Sequence, residues 1–558
     1  MFYVKRSGKA GRLVYAKFFT PSVQLTHQQS VSGRKTGLAA DLAFINANVI
    51  TMNPAQPKAE AVAVKEGRII KVGTNQQIKQ LTGKNTEIRD LLGKTVVPGL
   101  IDTHIHVADF GRCLMWLDLT TANSIIELKQ MLKQRVQQTQ AGKWIIGQGW
   151  NENRLKRMPT TRDLDVAAPD NPVILYREAA MICSTNTKAQ KLAGVTDLTP
   201  APPGGNIDKD PRTGKLAGIF RDAAASLIWQ AVPEPTDEDL TEATQLALQK
   251  IVEAGLTSIH WLVLSPVELN IIQNLHSQNK LPVRVNVVVP ENLIEKAKKL
   301  QTSDPAMLRF GGVTITVDGY LDSKEAALIE PYSDDPNNTG KLLCGGEALA
   351  ASVRRVLAAG VQPIIVVMGD RAIDEALKVI EDTSQVGIRF RIEQAAVLNE
   401  NLLQRLKKQD VVVSIQPKMV STEFTVWSAQ QRLGERACWL HPLKSLVDAG
   451  VKVAGGSDCP MEPLNPFLGI QESVFRQAYP EQRVSVVDAL RMYTLDAAYS
   501  TCEEGAKGSI EEGKLADLTI LASNPEVVAP DKFKDIRVNT VVVGGKILRD
   551  ALSHNIIS

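Results

Sequence analysis

Only six of the 558 residues are cysteine, and Cys113, Cys183, Cys344, Cys438, Cys459 and Cys502 lie far apart with no C-x-x-C pair. That scatter excludes a disulfide-stapled scaffold and reads as reduced thiols of a cytoplasmic protein. No apolar run reaches the ~18 to 20 residues of a membrane-spanning helix, and the first residues lack the apolar core of a signal peptide. A soluble chain with no membrane partner is therefore expected. Net charge is also nearly absent, at +3, so nothing points to nucleic acid, although acidic substrates stay open. Acidic residues are missing altogether from residues 1 to 40, which carry Lys5, Arg6, Lys9, Arg12, Lys17, Arg34 and Lys35. This basic leader is expected to lie outside the folded core, and organelle targeting is the other reading of the same composition.

What remains is ordinary globular material, 44% hydrophobic and 22% charged, long enough for about three modules of ~100 to 200 residues each. Short β-like runs start at Asp41 (LAFINANVITM, AVAVKEGRIIKVG, TVVPG), and matching ones close the chain (GSIEEGKLADLTILASN, VNTVVVGGKILRD). Together they predict a small composite β-sandwich from 41–97 and 508–558. Between them, 98–507 holds eight apolar, β-branched runs: VVPGLIDTHIH, LTSIH, PVRVNVVV, GGVTITVDG, QPIIVVMG, RFRIEQAA, VVVSIQP and VKVAGGSD. Most are followed by a helical pattern, so the expected fold is α/β, a (β/α)₈ TIM barrel whose site lies at the C-terminal ends of the strands. The first two runs stand too far apart for one helix, and an insertion at about 107–245 is expected to form a separate covering module. Trp144 and Trp150 are expected to pack it.

The strongest chemical signal is His104 and His106, two residues apart at a strand end and hence on one side of it. Two converging imidazoles make half a metal site. Asp458, after the last run, is the natural third ligand, because strands one and eight are neighbours in a closed barrel. Imidazole suits zinc, iron, manganese or nickel, and zinc is the expected ion because three protein ligands plus water are its usual catalytic arrangement. Of the seven histidines, His27 and His554 fall in the tails, His276 in a helical stretch and His441 at a helix start. His260 ends the second strand and is the one further histidine that could reach the pocket. Asp318 follows strand four, as either a group orienting substrate or a turn carboxylate bonded to backbone; Glu393 and Gln416 end strands six and seven with the same two readings. Cys459 lacks a neighbouring base and reads as packing.

The segments PGLIDTHIH, IIGQGWNEN, VDGYLDSKEAALIEPY, MGDRAIDEAL, RIEQAAVL, PLKSLVDAGVKVAGGSDCP and GSIEEGKLADL resemble amidohydrolase family 3, the branch similar to N-substituted formamide deformylases. The likeness runs from Asp41 to Ile547. It implies a metal-dependent hydrolase that opens C–N bonds of amides, formamides or cyclic imides. Against the family pattern, Thr314 stands where a bridging lysine is usual, Val366 and Gln394 where ligand histidines are usual, and Met181 where a substrate-facing histidine is usual. These substitutions predict one divalent ion at most, held by His104, His106 and Asp458, with Asp458 also moving the proton. The expected substrate is a small molecule, and homo-oligomer formation is left open. The alternative reading is a catalytically impaired binding or regulatory pseudoenzyme; isomerase or lyase chemistry is a weaker third.

Overall fold

The eight β-branched runs form one eight-stranded parallel sheet in which every strand neighbours the next in sequence. In the computed structural model, which describes residues 39–178, 181–383 and 388–551, these strands are β1 Leu100–Ile105, β2 Leu256–Leu262, β3 Arg284–Pro290 and β4 Leu308–Thr316. They continue as β5 Gln362–Val367, β6 Phe390–Gln394, β7 Val411–Ile415 and β8 Lys452–Gly455. The barrel closes at its C-terminal rim. There the Asp458 N–H donates to the His104 carbonyl at 2.7 Å and the His106 N–H to the Cys459 carbonyl at 2.9 Å. Alternation divides each strand between two environments: Val285, Val287 and Val289 join the large core under the helices, while Leu262, Val288 and Ile364 form their own cluster.

The helix Asp237–Glu253 begins at a capping box made by Thr236 and Asp239, with Asp237, Glu238 and Asp239 in its first turn. Side-chain caps and acidic first turns satisfy free amides and suit the helix dipole. It packs against the helix Val107–Met115 so closely that a Cβ on Gly111 would stand 2.1 Å from the Ala243 carbonyl oxygen. Only glycine fits there. This pair belongs to the helical layer of the barrel, and a separate six-stranded sheet is threaded between them. Its strands are Leu117–Asp118, Ile145–Trp150, Val173–Arg177, Ile182–Thr185, Gly205–Lys209 and Leu216–Asp222. Trp150 is buried in its core and donates to the Leu175 carbonyl at 2.8 Å, and the half-buried Trp144 packs on its other hydrophobic cluster.

Segments from before and after the barrel sequence meet in the sandwich. Thr95–Pro98 pairs in parallel with Asn48–Ile50 and antiparallel with Leu518–Leu521. Leu42, Phe44 and Val62 from before it share a core with Leu518, Ile520 and Val542 from after it. A buried fork ties this module to the barrel floor: Arg284 donates to Asp517 through Nε at 2.6 Å and Nη2 at 2.8 Å. Two parallel charge-assisted bonds fix orientation as well as distance. All six cysteines are free thiols. Among the described residues no helix is long and apolar enough to cross a membrane. The expectation for the basic leader, and His27 and His554, lie outside the described residues apart from Ala39 and Ala40.

Candidate metal centre

The D-T-H-I-H segment and the S-D segment are sewn together by one carboxylate. Asp102 Oδ1 accepts from the His104 N–H at 3.0 Å and from the Ser457 N–H at 2.9 Å. Burial pushes Asp102 up to about 6 against those bonds. The stitch delivers Asp458 to the imidazoles in a left-handed backbone conformation, φ 57°. Sparsely populated backbone at a functional rim persists where the surroundings over-determine it. Asp458 Oδ1 lies 3.4 Å from His104 Nε2 and 3.4 Å from His106 Nε2. Ligand-type atoms of the three residues all fall within 4.8 Å of one another, the one such trio among the described residues. His104 and Asp458 are buried while the side chain of His106 is 23% exposed, so the trio opens to solvent on one side.

These separations suit one small divalent ion. A tetrahedral ion with ligands at 2.0–2.1 Å has ligand-to-ligand edges of about 3.3 Å, and the two imidazole-to-carboxylate edges are 3.4 Å. The donor set of two imidazole nitrogens and a carboxylate oxygen is a common one for catalytic zinc. Burial alone would lower the pKa of His104, but the carboxylates of Glu393 and Asp458 outweigh it and raise the imidazole to about 10. Burial likewise pushes Asp458 up, and the His104 and His106 imidazoles reverse this, holding it below the usual carboxylate range.

Beneath the trio lies a buried polar layer. Glu393 Oε1 is 3.2 Å from His104 Nδ1 and accepts from Gln416 Nε2 at 2.8 Å, while its Oε2 pairs with the Arg391 guanidinium. Arg391 also donates to the Thr103 carbonyl at 2.6 Å and Ser414 Oγ at 3.1 Å, and its Nη1 lies 2.9 Å from His260 Nδ1. His260 therefore reaches the trio through Arg391 and Glu393 and is not part of it. Burial, then the Arg391 charge, lower its pKa well below the ordinary imidazole value.

The other candidate residues have surroundings of their own. Asp318 accepts three backbone N–H groups, those of Met368, Ala327 and Gly369, each at 2.8 Å. It takes the turn-carboxylate role, and burial raises it to about 6 against those bonds. Thr314 and Val366 are half-buried on β4 and β5, with Thr314 Oγ1 3.5 Å from the Val289 carbonyl. Gln394 is buried at the end of β6, its Oε1 without a partner, where Gln394 and Ala395 have φ of 69° and 45° and break the strand alternation. Met181 is 60% exposed in the insertion. His441 is buried beside Arg476, with burial first and that charge second lowering it to about 3. The sequence reading missed the roles of Asp102 and Arg391. For Arg391 a signal existed: on β6 it alternates with Glu393, so both share a face.

His104 on β1, His106 just beyond it at the cap of the helix Val107–Met115, and a carboxylate beyond β8, gathered at the mouth of a parallel eight-stranded barrel, have the architecture of a metal-dependent hydrolase. The chain belongs to the amidohydrolase family, whose sequence profile matches residues 87–549. It is 31% identical to a putative amidohydrolase, YtcJ, of Bacillus subtilis, over 90% of this chain and 98% of that protein. It is 32% identical to the protein LONG AFTER FAR-RED 3 of Arabidopsis thaliana, over 92% of each chain. Identity to the N-substituted formamide deformylase of Arthrobacter pascens is 27%, over 90% of this chain and 97% of that enzyme. Among solved structures, an uncharacterized metal-dependent hydrolase from Pyrococcus furiosus superposes with a TM-score of 0.72 at 29% identity, covering 87% of this chain and 99% of the other.

Proposed function

We propose that this protein is a mononuclear metal-dependent hydrolase of carbon–nitrogen bonds in a small amide, formamide or cyclic imide. The observation that carries the reading is the trio with its 3.4 Å edges. His104 and His106 would hold the ion through Nε2 and Asp458 through Oδ1. When bound, a zinc ion supplies Lewis acidity that brings the pKa of water to ~7. The second oxygen of Asp458 takes the proton of the attacking water and returns it to the leaving nitrogen, the role a carboxylate beside a nucleophile can fill. The open side at His106 admits the substrate. Thr314, Val366 and Met181, none of them ionisable, favour an apolar substituent selected by shape. A cleft of about 1240 Å³ is lined in part by Phe110, Cys459 and Met461 and in part by Lys250, Glu253, Arg537 and Arg549; none of the trio residues is in its wall, so it carries no part of this reading. Preservation of a complete trio favours hydrolysis over a binding or regulatory role, and reduced thiols fit a cytoplasmic setting.

Protein purified without chelator and analysed by plasma mass spectrometry is expected to carry about one zinc per chain. It is expected to hydrolyse members of a panel of N-substituted formamides, amides and cyclic imides, lose activity on chelation and regain it with zinc. Two tightly held ions per chain would overturn the mononuclear reading. A zinc-loaded, folded protein inert across the panel would overturn the substrate class.

A further inference from the structure

A metal-ligating imidazole is useful only if the right nitrogen faces the ion, and β6 carries the group that decides this for His104. We propose that Glu393 is the positioning residue of the ion site: clamped by Arg391 and Gln416, its Oε1 stands 3.2 Å from His104 Nδ1, a buried nitrogen with no hydrogen-bond partner, and so leaves Nε2 facing Asp458. The inference rests on the mononuclear reading above and names the residue on which that reading depends.

Both oxygens of Glu393 are engaged. Oε2 is paired with Arg391, and Oε1 accepts from Gln416 at 2.8 Å and lies 3.2 Å from His104 Nδ1. An ionised carboxylate only accepts, so a bound ion would displace the proton of Nε2 and leave the one on Nδ1, the nitrogen that faces Glu393. Arg391 cannot give way, since its guanidinium is also tied to β1 through the Thr103 carbonyl and to β7 through Ser414 Oγ. His260 completes the brace. A guanidinium only donates, so His260 Nδ1 is the acceptor of Arg391 Nη1 and the His260 proton sits on Nε2. Contacts from β1, β2 and β7 thus fix Arg391, and Arg391 and Gln416 fix the carboxylate. Pairs of a carboxylate and a ligand histidine fix the ring and raise its basicity. That support weighs most where, as here, Gln394 takes a ligand-histidine position and leaves a minimal set.

The test uses the full chain, stripped of metal and titrated with zinc against a competing chelator. Glu393→Gln is expected to weaken zinc about 10- to 100-fold. Gln416→Leu, which leaves the Arg391 pair intact and guards against a misfolded first variant, is expected to weaken it about fivefold, the worth of one neutral hydrogen bond. Zinc-loaded wild type labelled with ¹⁵N-histidine is expected to show His104, assigned with His104→Gln, protonated at Nδ1 and metal-bound at Nε2. A purely structural role for Glu393 would not produce that signature. Unchanged zinc affinity in both folded variants, or His104 bound through Nδ1, would overturn the proposal. A wild type that takes up no zinc would overturn the ion site itself, and this inference with it.

Discussion

The two sides of one barrel mouth treat buried carboxylates in opposite ways. At the seam of β1 and β8, Asp458 faces two imidazoles and is held below the ordinary carboxylate range in spite of its burial. On the far side, Asp318 faces three backbone N–H groups, and burial still raises it to about 6. Asp102 shows that position alone is not the cause. It lies at the seam, accepts from the backbone N–H groups of His104 and Ser457 with the His104 charge only the last of the effects that lower it, and is also raised to about 6. Neutral dipoles offset desolvation in part, whereas cationic partners reverse it. A carboxylate's neighbours therefore separate its two uses, stitching loops together or serving an ion.

The largest expected effect breaks the seam side. His104→Ala or Asp458→Asn removes one of three candidate ligands and is expected to weaken zinc at least about 100-fold, as read by chelator competition. The matching change on the far side, Asp318→Ala, is expected to leave zinc affinity within about twofold. It orphans three buried backbone donors, so it should destabilise the fold by on the order of 3 kcal/mol in denaturant titration. A hundredfold loss of zinc affinity in Asp318→Ala would erase the distinction between the two sides.

A third environment sharpens the comparison. Glu423, on the helix Met419–Thr425 beyond β7, is buried and leaves Oε2 without a partner. Burial first, then the Asp322 and Glu462 carboxylates, push it up to about 8 against the nearby Arg432. The folded pKa lies above the unfolded one, so Glu423 favours the folded state most below the ordinary glutamate pKa, and this stability is lost as pH rises through about 8. Glu423→Gln, neutral at every pH, should therefore gain on wild type as pH rises. The expected gain between about pH 5.5 and pH 7.5 is roughly 2 kcal/mol, measured by urea unfolding. A pH-independent difference would show that Glu423 is solvated or paired.

The barrel strands were legible because each is a β-branched run with its own boundary signal, and β1 to β8 occupy the eight runs read from the sequence. His104, His106 and Asp458 were legible as neighbours from strand alternation and barrel closure alone. The layer below them was not. Arg391 meets His260 across 131 positions and the Thr103 carbonyl across 288, and no local pattern records such pairings. His260 was seen as a strand-end histidine near the pocket, but only the structure shows it bonded to a guanidinium. Asp318 offered two readings because a carboxylate after a strand looks the same whether its partners are amides or ligands.

The smallest expected effect adds function to the side that lacks it. Val366 and Gln394 stand where the family resemblance implies ligand histidines, on the adjacent strands β5 and β6, paired as Val366 with Glu393 and Val367 with Gln394. Replacing both, Val366→His and Gln394→His, is expected to raise zinc affinity at least about tenfold, because each imidazole offers a strong ligand to an open coordination position. The gain should vanish when His104→Ala is added, since new ligands alone would not rebuild the trio. Val366 is half-buried, so a polar ring there without metal should cost about 1–3 kcal/mol, visible as lower stability of the stripped double variant and recovered on zinc addition. Positive φ at Gln394 and Ala395 turns the chain out of the strand, and the added ring depends on that turn to face the trio. Unchanged zinc affinity in a folded double variant would show that these two side chains do not converge on His104 and Asp458. The far side of the mouth would then differ from the seam in geometry as well as in residue type.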